Sequence, residues 1–190
     1  MDQNFQVKDP LHAQLRELYG RMIYTHKTQE KESDVARRSL VVWQNVQLIL
    51  SSLSATGILV TIWGDCVAIK IVAAIISAVM FGVSAYLKNS DFGGRARCHA
   101  EAAAFLWDAR ESYFTMLVDL QSGKVDRQKI CAQRDELQRK LAEFFKDAPR
   151  TTQKAYEDAS VALQKNEEFT FSADEIDKFL PIEMRITESK

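Results

Sequence analysis

Glycine and proline are scarce, seven and three in 190 residues, and no stretch alternates apolar with polar side chains. Without turn residues or a period of two, a β-rich fold is excluded and long helices remain. Cys66, Cys98 and Cys131 are odd in number and far apart. They form neither a CxxC nor a zinc spacing and read as free thiols of a reducing compartment. The net charge of -1 gives no global field for nucleic acid. Walker loop, GxSxG, HExxH and GxGxxG are all missing, and His12, His26 and His99 do not cluster. No enzyme, no catalytic residue, no metal and no resident cofactor is expected.

Against this background, residues 40–87 hold only two charges, Asp65 and Lys70. Residues 40–63 are 24 residues without a charge, beyond the roughly 18 that mark a membrane span. Gly64-Asp65 breaks the run and a second apolar run follows. The 20-residue spacing of Trp43 and Trp63 corresponds to about 30 Å of helix, the hydrocarbon thickness. Tyr86 ends the second run, where an interfacial aromatic belongs. A buried hairpin in a soluble protein is the competing reading, but core helices seldom run so long without a charge. The expectation is an all-α membrane protein, a two-helix transmembrane hairpin fused to a cytoplasmic helical bundle. Its parts are an N-terminal cytoplasmic helix (1–39), the hairpin (40–87) and a C-terminal cytoplasmic helical region (88–190).

Orientation follows from the flanks. Arg37 and Arg38 precede the first span; Lys88, Arg95 and Arg97 follow the second. The positive-inside rule puts both termini in the cytoplasm. Residues 1–39 are charged throughout and contain no signal peptide, so the first span is expected to direct its own insertion.

The polar regions read as helices. Residues 9–39 form a charged helix with Leu11, Leu15, Leu18 and Met22 on one face, continuing into the first span. Gly93-Gly94 is the expected joint after the second span. Residues 101–120 are strongly amphipathic through Ala102, Leu106, Ala109, Tyr113, Met116, Leu117 and Leu120, stopped by Ser122-Gly123. Asp126 caps a helix reaching residue 146, with Ile130, Leu137, Leu141 and Phe144 on one face. A short helix follows Pro149. Ser172 with Glu175 forms a capping box, and Pro181 ends that element.

Within the first span, Gln44, Gln47, Ser51, Ser54 and Thr61 share an arc, the candidate pore lining; Asn45, Ser52 and Thr56 form a second stripe. On the second span Lys70, Ala73, Ala74, Ser77 and Ser84 make a small or polar face. Such faces serve either close helix packing or a water-lined pore. One stripe can meet the partner helix; the other calls for another subunit or water. A homo-oligomer, tetramer or larger, in the lipid bilayer is expected. Beyond the spans, Arg95, Arg97 and His99 make a basic cluster at the membrane edge, and Trp107, Arg110 and Phe114 share a helix face. Arginine forks bind phosphates and aromatics stack bases. Arg95, Arg97, Trp107 and Arg110 are therefore the candidate nucleotide-binding residues.

The order of these elements resembles the SLATT domain family, two-transmembrane effectors found beside SMODS and SLOG domains in bacterial conflict systems. The likeness runs from about residue 9 to 186. It rests on the helix EAAAFLWDARESYFTMLVDLQSG with its W-x-x-R-x-x-Y-x-x-x-L-x-D-L pattern, the segment DAPRTTQKAYEDASVAL and the ending FTFSADEIDKFLP. The matched positions are Trp107, Arg110, Tyr113, Leu117 and Asp119. The resemblance implies an antiphage effector of the inner membrane that forms a pore. It also implies control by a nucleotide or oligonucleotide from a partner nucleotidyltransferase. A non-conducting anchor recruiting a protein through its cytoplasmic helices is the alternative.

Overall fold

The computed structural model describes residues 9–63 and 67–186, the side chains of residues 61–63 excepted. The hairpin tip at Asp65, Cys66 and the side chains of Thr61 and Trp63 thus lie outside the described residues. The chain is α1 (Pro10–Trp63), α2 (Val67–Ser90), α3 (Phe92–Ser122), α4 (Arg127–Asp147), α5 (Gln153–Gln164), α6 (Ala173–Asp177) and a 3₁₀ turn (Ile182–Met184). No strand occurs among the described residues.

The 54 residues of α1 make about 80 Å of uninterrupted helix. Nothing breaks it where the charged segment meets the apolar one, because neither Gly nor Pro falls between Gly20 and Gly57. Its long partner is interrupted once. Asp91 adopts a left-handed conformation, φ 39° and ψ 48°, which aspartate tolerates better than most side chains. Its carboxylate accepts the Gly94 N–H at 3.1 Å and so caps α3. A Cβ on Gly94 would stand 2.2 Å from Asp91 Oδ2, so any other residue there would displace the capping carboxylate. The joint expected at Gly93-Gly94 is therefore displaced: both glycines belong to α3, and the break is at Asp91.

α2 and α3 together run antiparallel along α1. Ser54 meets Ser77, Gln47 meets Ser84 and Trp43 meets Tyr86. Beyond Asp91 the register continues with Ser33 on Ala96, Gln29 on His99 and Tyr19 on Phe114. The apolar half and the charged half are thus two ends of one long helix pairing.

Burial divides the two ends. Leu11, Leu15 and Met22 of α1 pack with Leu106, Ala109, Tyr113 and Met116 of α3 and Ile130, Leu137 and Leu141 of α4. α5 closes on α1 through Ala155, Ala159 and Ala162, all buried. Caps fall where the sequence places them: Asp126 on Gln128 N, Ser172 on Glu175 N, and Gly123 left-handed after α3. At the other end only Ser54 of residues 41–60 and only Ala73 of α2 are buried. Val42, Leu48, Ile49, Leu59, Val67, Ile75 and Phe81 stand exposed around both helices. Water-soluble monomers do not present an apolar surface of that extent. The segment beginning at Val67 is the helical stretch, among the described residues, long and apolar enough to cross a membrane.

Candidate functional site

The first-span stripe divides between two environments. Gln47 Nε2 donates to Ser84 Oγ at 3.1 Å. Ser77 Oγ donates to its own helix at Ala73 O, 2.9 Å away, so in the 2.8 Å contact with Ser54 the single Ser77 hydrogen is spent and Ser54 donates. Gln47 and Ser54 therefore face the second helix. Gln44 is exposed, and the half-buried Ser51 donates to Leu48 O. On the second stripe Asn45, Ser52 and Thr56 are all exposed; Ser52 and Thr56 bond back to carbonyls one turn earlier. Ala73, Ser77 and Ser84 of α2 face α1, whereas Ala74 points away.

The candidate nucleotide-binding residues do not converge on one point. Arg95 is exposed. Arg97 is exposed and paired with Glu101 at 2.7 Å. Arg110 is turned onto its neighbour Glu111 at 2.8 Å, with its guanidinium 4.8 Å from the Phe169 ring centre. Trp107 is half exposed and borders a cavity. His99, grouped with the arginines by sequence, is buried instead. Gln29 Nε2 donates to Pro149 O at 3.1 Å, which leaves Gln29 Oε1 to accept from His99 Nδ1 at 2.6 Å. Glu32 accepts the Thr152 N–H on the same face. These polar side chains of α1 thus hold the segment before α5. Burial pushes the His99 imidazole below its ordinary pKa.

His26 also departs from expectation. Its place on a charged helix suggests solvation, yet it is 5% exposed. Its ring stacks on Phe169, Nε2 lies 3.6 Å from Glu30, and Nδ1 is buried without a hydrogen-bond partner among the described residues. Desolvation lowers its pKa, against the opposing pull of Glu30. Lys27 joins Glu30 at 2.9 Å and Glu168 at 2.6 Å, and its ammonium lies 4.8 Å from the Phe169 ring centre.

Between this face of α1 and α3 lies a cavity of about 620 Å³. Its charged wall is Lys27, Glu30, Asp34 and Arg37, with Trp107 and alanines of α3 opposite. Sequence reading found Trp107 but missed the α1 residues, because they look like an ordinary solvated helix face. Their spacing is a signal that could have been used: 27, 30, 34 and 37 recur at steps of three and four. No cluster fit for a metal ion occurs among the described residues.

All-helical among the described residues, with one exposed helix whose length and composition fit a bilayer crossing, the chain has the make-up of a helical membrane protein. Over residues 11–175 it matches the SMODS and SLOG-associating 2TM effector domain family 4, and it belongs to that family. No curated protein and no solved structure matches it.

Proposed function

We propose that the protein is a pore-forming effector of the bacterial inner membrane, acting in antiphage defence as a homo-oligomer under nucleotide control. α1 from residue 40 onward and α2 form the transmembrane hairpin, with both termini in the cytoplasm. The observation that carries the reading is the exposed polar face Gln44, Asn45, Ser52 and Thr56 on a helix otherwise dressed in Val, Leu and Ile. Amides and hydroxyls at bilayer depth face another helix or water rather than lipid. The hairpin's own seam already uses Gln47 and Ser54, and Ser52 and Thr56 answer carbonyls of their own helix, so it is the exposed amides of Gln44 and Asn45 that call for neighbouring subunits around a wet axis. Family membership supports the effector role, and the partner class is a nucleotidyltransferase that supplies the signal.

A second reading has one observation in its favour. Phe171, Phe179, Ile182, Met184 and Ile186 are all exposed at the C-terminal end, which suits an anchor that recruits another protein. Purified protein in liposomes loaded with a potassium-sensitive dye separates the two. The pore reading expects ion flux with an oligomer in native mass measurement; a monomer without flux, with nucleotides present or absent, sinks it and leaves the anchor.

A further inference from the structure

We propose that the cavity between α1 and α3 is a nucleotide site, in which Trp107 stacks the base and Arg37 holds the phosphate. Glu30 and Asp34 accept hydrogen bonds from ribose hydroxyls or ring amino groups. The assignment rests on the nucleotide-controlled reading above and gives that control a location.

The room comes from sequence. Ala100, Ala103 and Ala104 carry nothing beyond Cβ, so α3 leaves a gap beside α1. Leu106 and Tyr113 of α3 are instead buried in the core with α1 and α4. The volume of about 620 Å³ lies within the usual range for small-molecule sites. From His26 to Arg37 the α1 wall is about 16 Å long. Arg37 lines the cavity at the end of this wall away from His26. That leaves a ring platform at one end and a cation at the other.

The groups present match a nucleotide better than a bare anion. Arg37 makes no ion pair among the described residues, so its fork is free for phosphate. Trp107 keeps 48% of its surface exposed, a large aromatic left open beside the cavity. Two carboxylates would repel inorganic phosphate but accept from hydroxyl and amino donors. His26 lines the same cavity, more than nine-tenths buried, with Nδ1 unpartnered among the described residues.

The neighbouring surface already holds a ring and an anion from the chain itself. Phe169 lies against His26, Lys27 and Arg110, while Glu168 takes Lys27 at 2.6 Å and Lys31 at 3.5 Å. Lys27, at the His26 end of the wall, is thus already neutralised by Glu30 and Glu168, which leaves Arg37 as the cation for a phosphate.

The test uses the full chain in detergent, titrated by calorimetry and tryptophan fluorescence. Its probes are adenosine 5′-monophosphate, guanosine 5′-monophosphate and the diadenylate pApA. Binding of at least one probe is expected, weakened about tenfold or more by Arg37→Gln and by Trp107→Ala. The ion-paired control Arg139→Gln, on α4, should leave it unchanged. Inorganic phosphate and phosphatidylglycerol nanodiscs distinguish the sources of a phosphate group. If either displaces the nucleotide probe as well as unlabelled nucleotide does, the site reads only an anion and the proposal falls. It falls equally if none of the probes binds at about 5 mM, or if Arg37→Gln and Trp107→Ala bind like the parent. Thermal melts identify any variant that is merely unfolded, and Trp107→Phe, which keeps a ring, should then retain binding. Ion flux of Trp107→Ala without nucleotide keeps the readings apart: intact flux with lost binding leaves the pore standing, and intact binding without flux leaves the site standing.

Discussion

The hydroxyls of Ser54 on α1 and Ser77 on α2 lie 2.8 Å apart, inside a seam that is otherwise almost free of buried side chains. One turn along, a Cβ added to Gly57 would stand only 3.2 Å from the Ala73 Cβ. Small residues bring these two helices together, and polar ones bond across them, which is how helices associate where the hydrophobic effect is absent.

The first prediction tests that seam. Cysteines at 54 and 77, in a background lacking Cys66, Cys98 and Cys131, should form a disulfide within one chain under mild oxidation. Gly57→Leu should push the helices apart, cost about 1–3 kcal/mol and lower the cross-linking yield. Ala74→Leu, on the exposed side of α2, should leave the cross-link intact. Equal yields in all three backgrounds would contradict the seam.

The second concerns the break at Asp91. Gly94→Ala forces a Cβ onto the Asp91 carboxylate, so the cap is lost or the helix start shifts. A loss of about 1 kcal/mol and a lower melting temperature are expected. Asp91→Asn keeps both the capping oxygen and tolerance of the left-handed region and should melt near the parent. Asp91→Val loses both and should be the least stable of the three.

The third concerns pH. His26 and His99 are both held below their ordinary pKa by burial, opposed at each by a nearby glutamate. The unfolded chain therefore binds more protons than the folded one once pH drops toward and below about 6.5. Stability from these two groups is complete above that value and declines as pH falls toward their folded pKa values. Melting temperature should drop between about pH 7.5 and pH 5.5. His99→Asn places an amide donor toward Gln29 without a titrating ring, so part of the slope should disappear. An unchanged slope in that variant would remove His99 from the account.

The fourth concerns the core. Tyr113 is fully buried beside Leu106 and Met116, and its hydroxyl has no hydrogen-bond partner among the described residues. Removing an unsatisfied buried hydroxyl relieves a desolvation cost of about 1 kcal/mol or more. Tyr113→Phe should hold or raise the melting temperature, whereas Tyr113→Ala should lose about 3–5 kcal/mol. Marked destabilisation by the phenylalanine would mean that the hydroxyl has a partner, such as a buried water.

Much of this architecture could be read before the structure. Leu11, Leu15, Met22, Leu106, Tyr113, Ile130 and Leu141 announce their buried faces by helical spacing, and Asp126, Ser172 and Gly123 mark helix ends. Periodicity within one helix is a local property and survives folding. The site was less legible because its groups pair across long sequence separations. His99 looks like part of an arginine cluster until Gln29, 70 residues earlier, accepts from it. Gln47 and Ser54 share a stripe with Gln44, yet only α2 decides which of them turn inward. Asp91 rather than Gly93-Gly94 breaks the helix because a side-chain cap, not backbone freedom, sets that joint.

The last prediction separates pore from packing on one helix. Gln47 and Ser54 bond to α2, whereas Gln44, Asn45, Ser52 and Thr56 are exposed in the single chain. Replacing Asn45, Ser52 and Thr56 together with Leu keeps the helix apolar enough to insert and removes the groups that would wet a central axis. Ion flux should fall by about tenfold or more while the oligomer survives, if those residues face water. Replacing Gln47 and Ser54 with Leu acts elsewhere: it deletes two bonds across the hairpin and overfills a tight seam, so it should lower thermal stability before conductance. If the triple variant dissociates instead, its residues are glue between subunits and the water path lies on another face. If it stays assembled and conducts normally, Gln44 and Ser51 are the next residues to replace. Oligomer mass and flux measured on the same preparations decide among these outcomes, since packing predicts that both fall together and a wet axis predicts that flux falls alone.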